Sequence, residues 1–296
     1  MWLKGSLHTH TNNSDGDAPT EHVVDWYATH GYDFLAITDH NTITLPTSDR
    51  LLWLRSTEIS LAAERKPIHV NAFDIGELQL RTNPDESIVQ TLQRAVDVTN
   101  AAGGFAMINH PNFKWAFDHE AMARVNGWSL LEIYNASTDC NNFGFGGRIG
   151  VEAMWDKLLS AGQRAHGVAT DDSHDFLKER WGHISPPGLA WVEAWVDQKS
   201  VAAVARALQA GDFYASTEIE FDELVMGESA FHLRIRQMQD YAYTTLFIGK
   251  DGHVFSAVHG TQPSYAARGD EGYVRAKVLS SNGGWAWTQP LWLDGE

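Results

Sequence analysis

LKGSLHTHTNNSDGD, residues 3–17, decides how the rest of the chain is read. LKGSLH carries alternating apolar residues and reads as a strand. His8 and His10 follow two apart, and Asp15 lies five residues further on. Residues two apart on a strand share a face, so the two imidazoles can converge on one ion. Alone, the pair is weak evidence. With 14 histidines in 296 residues, chance supplies about 0.7 such pairs per chain.

The positions of the other candidates settle the matter. DFLAITDH (33–40) reads as a strand with His40 just past its end. LLWLRSTEIS (51–60) ends near Glu58, FAMINHP (105–111) near His110, and RAHGVATDDSH (164–174) at Asp172 and His174. PIHVNAFDI (67–75) reads as an extra strand that carries His69. Further strands are predicted at WSLLEIYN (128–135) and LAWVEAWV (189–196). Helices are predicted at 19–31, with Thr20 as cap and Val23, Val24 and Tyr27 inward, and at 84–104, 151–162 and 200–211. Strands alternating with helices imply a parallel sheet. The expectation is an α/β fold, a distorted (β/α)7 barrel over 1–218, whose C-terminal strand ends form the rim where such barrels build their sites. Histidines that merely pack have no reason to choose that rim repeatedly.

After residue 218 the rhythm changes. FDELVM, FHLRIRQ, YTTLFIG, HVFSAV, GYVRAKVL and WAWTQPLW are strand-like, separated by DG, GD and NGG turns. Residues 219–296 are expected to form a small C-terminal all-β appendage.

Composition narrows the function. The net charge is −16, with 43% hydrophobic residues and no apolar run near the length of a membrane span. A chain this acidic is poorly suited to nucleic-acid phosphates, whose binding depends on Lys and Arg. Cys140 is the only cysteine, which excludes an intramolecular disulfide and suits a reducing compartment. MWLKGSLHTH carries no secretory pattern. The expectation is a cytoplasmic protein acting on a small molecule, with neither nucleic acid nor membrane as partner; the oligomeric state is left open.

His8, His10, Asp15, His40, Glu58, His69, His110, Asp172 and His174 make nine candidate ligands. Six imidazoles and three carboxylates exceed the four to six ligands one ion takes, and suit two or three divalent transition ions. Mixed nitrogen and oxygen donors fit Zn, Mn or Fe.

The ordered set LHTHTNNSDG, AITDHN, STEIS, PIHVNAF, INHP and TDDSHD resembles the polymerase-and-histidinol-phosphatase (PHP) superfamily across residues 5–215. The resemblance implies a di- or trinuclear centre that hydrolyses phosphate esters. By position, His8, His10, Glu58 and Asp172 would hold one ion, and Glu58, His69 and His110 a second. Asp15, His40 and His174 would hold a third, with aspartate at 15 where many members have histidine. LLEIYN, WDKLLSAG and the terminal RAKVLSSNGGWAWTQPLW also resemble the CehA/McbA-like branch, whose named members cleave an aryl carbamate ester.

The expected chemistry is attack by a hydroxide held between the ions through Glu58, with Asp172 and His174 completing the catalytic set. Asp39 is expected to support His40, and Glu132 to orient a ligand. Arg148, in the glycine-rich NNFGFGGRIG (141–150), with Lys114, Arg180 and His183, is the candidate substrate-binding set. Trp191 and Trp195 read as packing residues. Three classes fit: a phosphoesterase on a small phosphorylated metabolite, a carbamate or carboxylic ester hydrolase on the same centre, and a non-catalytic module in which metals hold the fold.

Overall fold

The computed structural model describes residues 1–177, 185–227 and 229–293. In chain order, β1 (Trp2–Ser6), α1 (Thr20–Thr29), β2 (Phe34–Ala36), β3 (Leu52–Leu54), β4 (Ser56–Ala63) and β5 (Lys66–Phe73) come first. Then follow α2 (Ile88–Ala101), β6 (Phe105–Ile108), the short α3 (His119–Met122), β7 (Leu130–Asn135), the two-residue strands β8 (Gly144–Phe145) and β9 (Arg148–Ile149), and α4 (Val151–Ser160). After these come β10 (His166–Thr170), β11 (Trp191–Trp195), α5 (Val201–Ala210) and β12 (Phe213–Ser216). Among the described residues that follow are the strands β13 (Phe221–Met226), β14 (Ala230–Ile235), β15 (Tyr243–Gly249), β16 (His253–His259), β17 (Ser264–Ala266), β18 (Tyr273–Ser280), β19 (Trp285–Thr288) and β20 (Leu291–Trp292), with a short 3-10 turn at Lys250–Gly252.

The ladders do not close into a regular parallel barrel. One sheet runs β10-β7-β6-β5-β4; a larger one runs β16-β15-β18-β19-β12-β11-β1-β2-β3. Parallel pairing holds for β1–β2, β2–β3, β6–β7 and β7–β10. It fails at two places for different reasons. Glu64 and Arg65 both take left-handed backbone (φ 52° and 63°), the geometry of a tight hairpin, so β5 returns antiparallel beside β4 and then pairs antiparallel with β6. β11 runs antiparallel to β1 and leads through β12 into β19, so LAWVEAWV is not a seventh parallel strand. The two sheets touch where the site lies, through isolated parallel bridges Thr9–Ser173 and His40–Glu58.

Helices cover the outer faces with the residues their periodicity selects. Val23, Val24 and Tyr27 of α1 are fully buried, as are Leu92, Ala95 and Val96 of α2. The cap of α1 lies one residue earlier than expected. Pro19, already at φ −66°, is its cap, while Thr20 opens the helix and its hydroxyl takes a bond from Asn13. α2 begins only at Ile88, where Ser87 and Gln90 form a reciprocal capping box. Gly5 is required by close approach: a Cβ there would lie 2.2 Å from the Phe34 ring.

Strands β15, β16, β18 and β19 extend the large sheet, and β13-β14-β17 form a separate three-stranded sheet. Phe221, Phe231, Leu233, Phe247 and Val274 pack in one core between them. A buried ion network ties this region to α4. Arg275, 1% exposed, donates from Nε and Nη2 to the two Asp156 oxygens at 2.8 and 2.7 Å, and Nη2 lies 3.0 Å from Glu152 Oε1. The Tyr273 hydroxyl donates to the same Asp156 at 2.8 Å. Among the described residues no helix is long and apolar enough to cross a membrane.

Candidate metal centre

Seven of the nine candidates lie in loops that follow strands, while Glu58 lies inside β4 and His69 inside β5, and they meet around Glu58. This carboxylate is 1% exposed and faces two ways. Oε1 lies 3.1 Å from His69 Nδ1 and 3.3 Å from His110 Nε2. Oε2 lies 3.0 Å from His40 Nδ1 and 3.4 Å from both His8 Nε2 and His10 Nε2. Asp172 Oδ1 stands 3.0 Å from His8 Nε2 and 3.2 Å from His10 Nε2. At the mouth, the half-exposed Asp15 carboxylate reaches His40 and His174, each at 3.4 Å.

Whether these residues fit a cation is answered by their unsatisfied atoms. His8 Nε2, His10 Nε2, His40 Nδ1 and Asp172 Oδ1 are buried without a hydrogen-bond partner. Buried polar atoms are normally paired, so four orphans converging on one place mark a site for a positive ion. Three sets of donor atoms lie close enough to share one: His8, His10 and Asp172; His8, Glu58 and His110; and His10, Asp15, His40 and His174. His10 joins the mouth set and His8 the Glu58 set, while His69 touches Glu58 outside all three.

The surroundings fix ring orientation. Glu132 is 1% exposed and accepts from His8 Nδ1 (2.7 Å), Thr170 Oγ1 (2.5 Å), the His110 amide (2.8 Å) and Asn135 Nδ2 (3.0 Å). With Nδ1–H donated to Glu132, His8 presents a bare Nε2 to the cluster. His174 Nδ1 lies 2.8 Å from the Asp172 carbonyl, which turns its Nε2 toward Asp15. Asp39 does not support His40. Neighbouring side chains on extended backbone point to opposite sides, and the Asp39 carboxylate accepts instead from Thr11 N and Oγ1 (both 2.7 Å), Ser14 Oγ (2.8 Å) and Thr44. It ties down the loop after His10, and Ser14 Oγ in turn lies 3.3 Å from His10 Nδ1.

Electrostatics follow from the packing. Burial pushes Glu58 and Asp172 upward, but the imidazoles around them hold both carboxyls well below their ordinary range. Burial alone would lower His40 and His174, yet the carboxylate of Asp15, and for His40 also that of Glu58, raises them to about 10 and about 9. His10, fully buried and facing His174, moves down.

Of the expected substrate-binding cations, Lys114 and Arg148 do not line this place. The cluster opens into a cavity of about 310 Å³ whose other walls are Phe113, Ser137, Asp139, Cys140, Asp175 and Ser185. Lys114 is exposed, with Nζ 4.9 Å over the Phe113 ring. Arg148 donates to the Trp115 carbonyl and stacks on its ring at 5.6 Å. It belongs to a neighbouring cleft with Phe117, Asp118 and His119. NNFGFGGRIG is a β8–β9 hairpin turned at Gly146 and Gly147, which aims Arg148 that way. Arg180 and His183 lie outside the described residues. Trp191 is buried, whereas Trp195 is 53% exposed and meets Trp2 edge-on.

Several site residues escape a reading of the sequence. Asn109 Nδ2 donates to Glu58 Oε1 at 2.7 Å, and Asn135 Nδ2 to Asp172 Oδ2 at 3.0 Å. Asp171, fully buried, accepts from Ser6, Tyr27 and the Gly188 amide, anchoring the turn in which Asp172 takes φ 46°. The available signal was an amide or acid one residue from a ligand at a strand end, as in INHP and TDDSH.

No family model matches the sequence, and no curated protein matches it. Among solved structures the chain resembles a two-domain protein from Bacteroides vulgatus ATCC 8482 that contains a predicted PHP-like metal-dependent phosphoesterase. The two share 14% identity over 98% of this chain and 95% of that one, with a TM-score of 0.56. An amidohydrolase from Chromobacterium violaceum, solved with bound sulfate and no metal, shares 16% identity over 62% of this chain and 92% of its own, at TM-score 0.42. A protein from Bifidobacterium adolescentis ATCC 15703, proposed to be a metal-dependent phosphoesterase, shares 13% over 62% and 92%, at TM-score 0.43. The first likeness establishes a shared fold over nearly the whole chain. The other two are too loose to add to it.

Proposed function

We propose that this protein is a metal-dependent hydrolase of small-molecule esters, built on a distorted PHP-type barrel (1–218) with a β-rich C-terminal region (219–296). The observation that carries the reading is the convergence of unpaired buried donors on Glu58 and Asp172. His8, His10, Asp15, His40, Glu58, His69, His110, Asp172 and His174 would hold two or three ions of Zn, Mn or Fe. Such ions would supply Lewis acidity and would acidify water at neutral pH.

The chain's own part is orientation and exclusion. Glu58 spans the centre, one oxygen to each side, and cannot turn because Asn109 and five imidazoles surround it. Glu132 and Asn135 fix His8 and Asp172 from behind. Asp15, His40 and His174 border the open side, where an ester enters against Phe113. That open mouth speaks against a purely structural role for the metals.

Resemblance to the superfamily favours a phosphorylated metabolite as substrate. A second reading, a carbamate or carboxylic ester as in the CehA/McbA-like branch, is favoured by one specific observation. Among the described residues lining the cavity there is no lysine or arginine, the side chains that usually grip phosphate. Initial rates of Mn- and Zn-loaded protein on p-nitrophenyl phosphate and p-nitrophenyl acetate, with Glu58→Ala as control, test the proposal. Glu58-dependent turnover of either supports a hydrolase; metal-loaded protein inert on both overturns it for these ester classes.

A further inference from the structure

We infer that Asp139 is a specificity-determining residue that turns the cavity away from dianionic phosphate monoesters and toward uncharged esters carrying an N–H or O–H donor. The inference rests on the hydrolase reading above and names the substrate class of that same site.

Asp139 lies in the loop after β7 and forms part of the wall shared with Phe113 and Cys140. Its place is set by a chain of bonds that starts at the cluster. Asn135 Nδ2 donates to Asp172 Oδ2 at 3.0 Å, and Asn135 Oδ1 accepts from the Ser137 amide at 2.8 Å. Ser137 Oγ then donates to Asp139 Oδ1 at 2.8 Å, and Asn141 Nδ2 to the Asp139 carbonyl at 3.0 Å. The carboxylate is therefore held on the cavity side by the residue that holds Asp172.

Only Oδ1 is engaged by Ser137; among the described residues Oδ2 receives no donor. A fixed carboxylate with a bare oxygen on a substrate wall accepts from a donor and repels an anion. Its charge reaches the cavity: the Cys140 thiol is pushed well up by burial and then by Asp172, Glu132 and Asp139. No lysine or arginine lies among the described lining residues to offset it. Phe113, in the same lining, offers an apolar surface that suits an uncharged group.

The test uses full-length Mn-loaded protein as wild type, Asp139→Asn and Asp118→Asn. Asparagine at 139 keeps an acceptor for Ser137. Asp118→Asn removes the same charge from the neighbouring cleft, where Asp118 caps α3. Two quantities are read: the ratio of kcat/KM for p-nitrophenyl phosphate to that for p-nitrophenyl N-methylcarbamate, and the affinity for inorganic phosphate by equilibrium dialysis. In Asp139→Asn the ratio and the phosphate affinity are each expected to rise about tenfold, and in Asp118→Asn neither moves. Changes below about threefold in Asp139→Asn, or equal changes in both variants, overturn the assignment. If wild type hydrolyses neither compound, the hydrolase reading fails for these substrates, and the dialysis comparison alone decides the role of Asp139.

Discussion

Replacing Glu132 tests how the centre is held. Its buried carboxylate satisfies four donors, from His8, His110, Thr170 and Asn135. Two of these belong to ligand residues, and Asn135 reaches a third, Asp172. Glu132→Gln keeps the shape but turns one acceptor oxygen into a donor, so His8 loses the partner that fixes its ring or must flip. Loss of a group that orients a metal ligand typically weakens metal binding about 10- to 100-fold, or about 1.4–2.7 kcal/mol. Glu132→Ala removes all four acceptor contacts, and each buried donor left unmet costs about 1–3 kcal/mol. Even with relaxation the metal-free protein should lose at least about 3 kcal/mol. Competition against a chromophoric chelator reads the first effect, and thermal unfolding of metal-free protein the second. Affinity within about threefold of wild type in Glu132→Gln would refute the positioning role.

Arg275→Met strands Asp156 and Glu152 without their buried guanidinium and should cost about 3–5 kcal/mol in urea unfolding; adding Asp156→Leu should recover part of that loss. Glu193, buried beside Trp191 and facing Glu220, is pushed up from 4.5 to about 7 by burial first and Glu220 second. The folded chain thus holds its proton more tightly, so the contribution of Glu193 to stability is greatest below pH 4.5 and falls by about 3 kcal/mol as pH rises through about 7. Glu193→Gln should flatten that slope in a pH series of denaturation curves, leaving the share due to Asp171, which burial raises to about 6. In metal-free protein the raised His40 and His174 contribute stability that is full below 6.5 and lost as pH climbs through about 9 and 10. A metal must displace those protons, so calorimetry in buffers of different ionisation enthalpy should show proton release on metal uptake at pH 7; none would refute the protonated assignment.

Much of the site was legible because ligand chemistry restricts residue type and strand ends restrict place. His8 and His10 share a face by their spacing, and His110, Asp172 and His174 follow the runs that lead to them, whereas Glu58 lies inside β4. Strand direction was not legible in the same way. The period of a strand is identical in parallel and antiparallel ladders, so nothing in PIHVNAF announced the reversal at Glu64–Arg65, nor did LAWVEAWV announce that β11 runs against β1. Side-chain aim in loops was also hidden. Asp39 adjoins His40 in sequence but serves Thr11 and Ser14, and Arg148 sits in a loop suited to closing over a substrate but rests on Trp115. Glu132 was placed better, because it lies within β7 rather than in a loop.

The claim on which the account rests is that these residues form a multinuclear centre joined by Glu58. Elemental analysis of metal-replete protein, freed of loosely bound ions by gel filtration, tests it most directly. Two to three transition-metal equivalents per chain are expected, given four to six ligands per ion, with a lower count in Glu58→Ala. A ratio of about one or less, or a count that Glu58→Ala leaves unchanged, would contradict it.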